Sequence, residues 1–568
     1  MQIMARVVET RTPGPIEGPS ADQGTAADHR REPAPDRVLG HLVEVNGRFG
    51  VVTSLMGNGA NGSHWSVGHL ITIVHLDVRM VGVVSMLAAS ERVWVDADTN
   101  IVHVTVELIG EIVDDAAGLP RFSRGLHSYP ALGAVAHRIR SRDLAAIFAS
   151  RNNDGVAIGH LTQNETIAAE VNIHRMVNRH FAVIGSTGVG KTTAVAILIQ
   201  KSIELRKNLR VLIMDPHNEY KEHFHDNSIV FDSSTLDLPF WMFRFDELAD
   251  IVFSGRVPGL NESEALFELV KAAKAKFAAT QTATMGIRRP SAPGQSALSA
   301  DTPVPYRMTD AIQIVDDWIG KLDPPYQRAD LRVLKSRLEN LNRDPRYRFM
   351  FGNSLVEDTM ATNMARLFRT PINGAPVSIV QLAGLPNEVL NSVVSVLARL
   401  TFDLALWSEG SYEIALVCEE AHRYIPNDRA LGFAPTRQAI GRIAKEGRKY
   451  GASLCVVSQR PSELDATVLS QCSTMFAMRL PNEADQAIIR SAVGESSATV
   501  LGFLSSVADR EAIAFGEAVA IAMRMKFDTY TPPKSNADDH VRPGSQADTR
   551  ARPFDMRRMV ARLRDEAV

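Results

Sequence analysis

Two hydrophobic periodicities divide the chain. From Val38 to about residue 160, short apolar runs alternate with polar positions and no helical repeat intervenes. Leu42-Val43-Glu44-Val45 and Phe49-Gly50-Val51-Val52 flank Asn46-Gly47, a dipeptide that reaches the positive φ a tight hairpin needs. Further strand-like runs at Leu70–Leu76, Met80–Met86, Val102–Ile109 and Val156–His160 predict a small β-barrel over residues 37–165. After Phe181 the pattern changes to unbroken apolar runs separated by stretches of helical spacing. Phe181–Ile184, Val211–Met214, Val377–Leu382, Ile414–Cys418, Ser453–Val457 and Met475–Met478 predict the strands of a parallel α/β sheet, buried on both faces.

That pattern breaks once, for over 100 residues between the second and third of these strands. Helix-like runs at Glu262–Ala278, Met308–Leu322 and Arg328–Asn342, with the low-complexity Thr280–Pro303 between the first two, predict a helical insertion. Placed at 256–370, it splits the α/β core into 166–255 and 371–530. Ala512–Phe515 and Ala518–Met525 read as a hairpin turning at Gly516-Glu517. Residues 1–36, rich in Pro, Gly, Ala, Asp and Arg, read as a disordered leader. The tail, 531–568, is polar until Phe554. Beyond it Met556, Met559, Val560 and Leu563 recur at helical spacing and predict a helix that docks on its own subunit or on a neighbour.

Composition narrows the class without naming a task. At 568 residues the chain is too long for one core, and 45% hydrophobic with 22% charged residues is ordinary for a globular protein. Cys418, Cys455 and Cys472 are scattered in apolar stretches, so neither a disulfide framework nor a metal cluster follows. No run approaches about 18 uninterrupted apolar residues, and Glu9, Pro13, Pro15 and Glu17 interrupt any signal-peptide core, which predicts a cytoplasmic protein without a membrane segment. A net charge of −3 argues against a basic coat for duplex binding but leaves room for a local basic lining.

The chemistry begins at Gly185-Ser186-Thr187-Gly188-Val189-Gly190-Lys191-Thr192, which matches G-x-x-x-x-G-K-[ST] between an apolar strand and the helix-like run that starts at Thr193. Glycines let the backbone wrap a phosphate chain with its N–H groups, and the helix adds its positive N-terminal dipole. Lys191 would reach the β- and γ-phosphates of ATP and the Thr192 hydroxyl a Mg²⁺ ion. A second strand, Ile414–Cys418, ends in Glu419-Glu420. Such a pair suits Mg²⁺ and water activation, Glu419 holding the ion and Glu420 polarising the water, though adjacent acids also cap helices. Asp215 ends another strand, where it could face the nucleotide or simply form the turn before Pro216. Ser458-Gln459 follows a further strand, and an amide there either senses the γ-phosphate or makes a turn. Between Glu419 and Tyr450, seven cations (Arg423, Arg429, Arg437, Arg442, Lys445, Arg448 and Lys449) meet four carboxylates, for a local +3. The segment fits a solvated helix face, an arginine offered to a neighbour's γ-phosphate, or a lining for DNA phosphates.

Five motifs in order resemble the HerA family of the FtsK–HerA ATPases: Asn178 to Lys191, Asp215-Pro-His-Asn-Glu-Tyr220, Glu419-Glu-Ala-His-Arg-Tyr-Ile-Pro426, Glu446-Gly-Arg-Lys-Tyr-Gly451 and Ser458-Gln-Arg-Pro461. The resemblance implies a RecA-like P-loop core with an N-terminal HAS barrel, a helical-bundle insertion and a C-terminal brace. It further implies a homohexamer that hydrolyses ATP between subunits and drives double-stranded DNA through its pore. Carried over by motif, Glu420 is the catalytic acid, Gln459 the sensor and Arg448 the first choice for the arginine acting in trans, ahead of Arg442 and Lys449. Arg179 corresponds to a further family arginine near the nucleotide. Asn218 departs from the family's Gly, but Asn also tolerates positive φ. HerA-like rings feed DNA to a NurA-like nuclease in end processing. In antiphage defence they also resemble scaffolds that organise a nuclease or a sirtuin-like NAD-consuming effector. A secretion or conjugation ATPase fits the Glu-Glu-Ala-His run less well.

Overall fold

The computed structural model describes residues 37–56, 65–90, 94, 100–149, 154–285, 298–352, 357–371, 375–428, 430–492, 498–530 and 555–566. The leader, the middle of the Thr280–Pro303 stretch and the polar linker from Thr531 to Phe554 lie outside the described residues. The first strands are β1 (Val38–Val45), β2 (Phe49–Met56), β3 (Leu70–His75), β4 (Val78–Ala89), β5 (Asn100–Asp114), β6 (Pro120–Arg124) and β7 (Val135–Arg138). They pair in the order β2-β1-β7-β3-β4-β5-β6, and β2 also pairs with β5, so six strands close a barrel and β6 hangs on its rim. Alternation along the strands sends Leu42, Val52, Ile73, Met80, Val84, Val104 and Val106 into one interior cluster. Bulges at Val81/Gly82 and Val84/Met86 bend the long β4–β5 ribbon, which the closure requires.

After α1 (Ser141–Phe148), the hairpin β8 (Gly155–Leu161) and β9 (Asn164–Asn172) leaves the barrel. This corrects the barrel boundary expected at residue 165. Val156–His160 has the pattern of a barrel strand, but β8 pairs antiparallel with β18 (Met523–Phe527), at the far end of the chain. Gly159 permits that approach, since a Cβ there would lie 2.0 Å from the Lys526 carbonyl oxygen. The barrel is tied to this second sheet by Arg124, whose guanidinium donates to the carbonyls of Val519 and Ala520.

The second sheet contains β10 (Phe181–Ile184), β11 (Leu209–Asp215), β12 (Ser228–Phe231), β13 (Val377–Gln381), β14 (Glu413–Cys418), β15 (Ala452–Ser458), β16 (Thr474–Ala477) and β17 (Glu511–Gly516), besides β8, β9 and β18. Its order is β12-β13-β11-β14-β15-β10-β16-β17-β18-β8-β9, parallel from β12 to β16 and antiparallel beyond. The strand that enters the glycine-rich loop, β10, sits between β15 and β16, and β15 separates it from the acid-bearing β14. This is the RecA-like order. The β17–β18 turn is wider than Gly516-Glu517, because Gly516 and Ala518 stay bound alongside Thr474 and the second strand pairs only from Met523.

Successive residues of the parallel strands serve two cores. Val183, Val211 and Ile213 pack with α3 (Lys191–Leu205) on one side, while Ile184, Leu212 and Met214 face the other. That other side holds α11 (Asn387–Trp407), α12 (Ala434–Glu446) and helices inserted between β12 and β13: α5 (Phe245–Val252), α6 (Leu260–Met285), α7 (Met308–Gly320), α8 (Arg328–Arg343) and α10 (Met360–Leu367). A buried ion pair, Arg399 to Glu247 at 3.1 Å, joins α11 to α5. The Glu388–Trp407 window of α11 is long and apolar enough to cross a membrane by composition, but 83% of it is buried inside the protein. The terminal helix α16 (Met556–Glu566) packs on α10 and α11 of its own chain, with Met559, Val560 and Leu563 buried and Arg564 forked onto Asp358 at 2.7 and 2.8 Å.

Candidate nucleotide site

Strand register brings the predicted residues to one edge. Ile184 aligns with Ser458 and with Ala477, and Cys418 aligns with Met214 and Val456, so Gly185, Asp215, Glu419 and Gln459 all follow the C-terminal ends of neighbouring parallel strands. In the loop itself Gly188 and Gly190 take φ of 78° and 98°, a region closed to most side chains, which turns the backbone into the N-terminus of α3. Lys191 folds back so that its Nζ donates to the Ser186 carbonyl at 3.1 Å, and it is buried at the mouth of the helix. Val189 is in the core, which pins the loop from beneath.

Around this cradle the polar atoms engage one another. Thr187 Oγ1 donates to Gln459 Oε1, tying the loop to the end of β15. Thr192 Oγ1 donates to Glu219 Oε2 at 2.6 Å. The Tyr220 hydroxyl donates to Glu419, a carboxylate only 3% exposed. Burial pushes the Glu419 carboxyl up to about 7, against the opposing pull of the Tyr220 hydroxyl and the Lys191 ammonium. Glu420 is held at φ 51°, and its Oε2 is buried with no hydrogen-bond partner. His422 Nδ1 lies 3.3 Å from that oxygen but out of hydrogen-bond alignment, and it also sits 3.2 Å from Ser458 Oγ. His217 Nε2 approaches Glu420 at 3.8 Å.

Two predicted residues make other contacts in this chain. Asp215, fully buried, accepts backbone N–H bonds from His217, Glu219 and Tyr220 at 3.1 to 3.3 Å, so its oxygens shape the loop. Asn218 takes φ 60° inside that loop, the turn that Gly would have made. Arg179 precedes β10, at the opposite edge of the sheet, where it pairs with Glu517; it is no part of its own chain's phosphate cradle. Arg448 also lies on that far edge, beside Asn178, Glu413 and Ala452, and the six-residue β14 alone spans roughly 20 Å between the edges. Arg448 and Lys449 are exposed and make no hydrogen bond or ion pair among the described residues, while Arg442 stacks 4.1 Å over Phe402.

Glu219, Tyr220 and Arg510 were not assigned roles from the sequence. The first two sit in the Asp215–Tyr220 motif, and only the loop's fold aims them. Arg510, at φ 62°, donates its N–H to the Val189 carbonyl at 3.0 Å and runs beside Gly190. No spacing rule links it to the loop.

Thr192, Glu219 and Glu419 offer oxygens that suit a hard cation, and the orphaned Glu420 oxygen suits a water. Among the described residues no group of three or more His, Cys, Asp or Glu forms a metal site by itself. A divalent ion here would therefore draw its remaining ligands from phosphate oxygens and water, as Mg²⁺ ordinarily does.

A RecA-ordered sheet, a P-loop closed onto a helix N-terminus and a paired acid on the second strand over define a P-loop ATPase. The family described as "Helicase HerA, central domain" matches residues 156–401. Similar proteins include a DNA double-strand break repair helicase HerA of Pyrococcus furiosus, 25% identical over 65% of this chain and 68% of that protein. Another, of Saccharolobus solfataricus, is 27% identical over 71% and 73%. A probable helicase of Methanocaldococcus jannaschii is 24% identical over 75% and 76%. Among solved structures, VirB4 of Thermoanaerobacter pseudethanolicus aligns with a TM-score of 0.46 at 16% identity, over 67% of this chain and 98% of that one. The chain is thus similar to the HerA helicases, and its residues 156–401 match their central domain.

Proposed function

We propose that the protein is a ring-forming motor, a homohexamer that couples ATP hydrolysis to movement along double-stranded DNA and works with a partner nuclease. What carries the reading is the split of its chemistry: acids and cradle at one strand edge, unpartnered arginine at the other. Lys191 and the loop N–H groups, from Gly185 through Thr193, would bind the phosphates. Thr192, with Glu419 directly or through water, would hold Mg²⁺, which neutralises phosphate charge when bound. The Glu420 carboxylate, with its free buried oxygen, would orient and polarise the attacking water. Gln459 would exchange its bond with Thr187 for one to the γ-phosphate. Arg448 would complete a neighbour's site, adding positive charge where the transition state gathers negative charge. The DNA substrate is supported by the HerA helicases this chain resembles and by the local +3 segment.

ATP turnover measured at low salt with and without duplex DNA tests the coupling. Stimulation is expected. Turnover that DNA leaves unchanged would overturn the motor reading and favour a ring that scaffolds its nuclease.

A further inference from the structure

Where the barrel meets the core, a cleft of about 580 Å³ opens among Arg37, His69, Arg138, Arg140, Gln163 and Asn164. Among the described residues no acidic side chain lines it. The cations come from two strand ends: Arg37 precedes β1, and Arg138 closes β7 just before α1. Arg37 donates to the Arg138 carbonyl at 2.7 Å, which fixes its place, whereas the Arg138 and Arg140 guanidinium groups make no hydrogen bond or ion pair among the described residues. Arg142 stands nearby with only a 3.9 Å approach to Asp143. Two carboxylates are close, Asp114 and Asp143, and Arg79 already holds both, at 2.6 and 3.2 Å. Positive charge is thus left in excess. Burial lowers the Arg37 guanidinium's proton affinity, and Arg140, Arg138 and Arg142 lower it further, while Asp143 opposes. His137 is depressed by burial and by the same Arg37 and Arg140.

Like charges crowded with too few counter-charges among the described residues cost stability, so their retention at a built cleft suits an anionic ligand. Guanidinium forks match phosphate oxygens two at a time, and the Asn164 amide can donate alongside them. We infer that this arginine cleft binds the phosphodiester backbone of duplex DNA, as a contact separate from the ATPase edge. The inference rests on the motor reading for its choice of DNA. An acidic protein segment is the competing occupant, and the similarity of this chain to DNA helicases decides for phosphate.

The test compares full-length wild type with the double variant Arg138→Ala/Arg140→Ala, binding a short duplex across a salt series. Losing two phosphate contacts should lower the slope of log affinity against log salt by about 2 and weaken low-salt binding about tenfold or more. DNA-free ATP turnover and melting temperature should stay at wild-type values, and Arg138→Lys/Arg140→Lys should recover most of the slope. Wild type that binds duplex with a slope equal to the double alanine variant's overturns the cleft and spares the motor reading. Wild type that binds no duplex at low salt overturns both. If poly-glutamate or inorganic tripolyphosphate binds wild type but not the variant while the DNA slope is unchanged, the cleft has a different ligand and the inference fails.

Discussion

At the C-terminal edge of the parallel strands, Thr187 bonds to Gln459, Lys191 to the Ser186 carbonyl, Thr192 to Glu219 and Tyr220 to Glu419, all within a single chain. At the N-terminal edge, Arg448 and Lys449 end in solvent, and Arg442 only stacks on Phe402. The two edges differ in what completes them. A buried carboxylate such as Glu419 is satisfied where it stands, by the Tyr220 hydroxyl, because an unpaired charge in the interior is costly. An exposed guanidinium costs nothing while hydrated, and it gains worth only when a partner desolvates it against a charge. A site built from both edges is therefore incomplete in one subunit and can be switched on by assembly.

The most damaging change should be Arg448→Ala, expected to slow turnover about 10³-fold or more while nucleotide binding persists. Tight nucleotide binding with near-normal turnover would erase the contrast between the edges. Glu420→Gln should slow turnover by about 10² to 10⁴ with binding retained, since it removes the base but keeps the shape. Pre-steady-state phosphate release checks it. Tyr220→Phe removes the donor to a buried carboxylate and should destabilise the fold by about 1–3 kcal/mol in denaturant titration. Arg510→Ala should weaken nucleotide binding about tenfold, read with a fluorescent analogue, and leave the saturated rate nearly intact, because the Arg510 stem packs on Gly190 and its guanidinium is tied to Thr529, so the side chain shapes the loop more than it serves the reacting phosphate.

The smallest effect near neutral pH concerns His180, whose Nδ1 accepts from Leu454 N–H and whose Nε2 faces the Ala444 carbonyl. Burial, aided by Arg448, lowers it to about 4 from 6.5. The unfolded chain therefore takes up this proton first, and the stabilisation, fully present above about pH 6.5, is lost as pH falls through 4. His180→Gln should flatten the decline in melting temperature over that window. An equally steep decline in the variant would remove the link.

Strands buried on both faces were legible because each is an unbroken apolar run: β10, β14 and β15 lie where the sequence puts them. β6, β7 and β12 were not, since Pro-Arg-Phe-Ser-Arg, Val-Ala-His-Arg and Ser-Ile-Val-Phe are too short or too polar to show a period. β8 was read as a strand but given to the barrel, because alternation identifies a strand and says nothing of its partner. The loop, the acid pair and Gln459 were legible through spacing and strand context. Asp215 was not, because only folded backbone reveals that its oxygens meet three N–H groups. Arg510 reaches the loop through tertiary packing alone.

Mixing two inactive variants tests the central claim most directly. Lys191→Ala lacks a working cradle but keeps Arg448, and Arg448→Ala keeps the cradle. Mixed assemblies should regain turnover, because at equal proportions roughly a quarter of the interfaces join an intact cradle to an intact arginine. Confirmed mixed assemblies that stay inactive at every ratio would contradict the shared site.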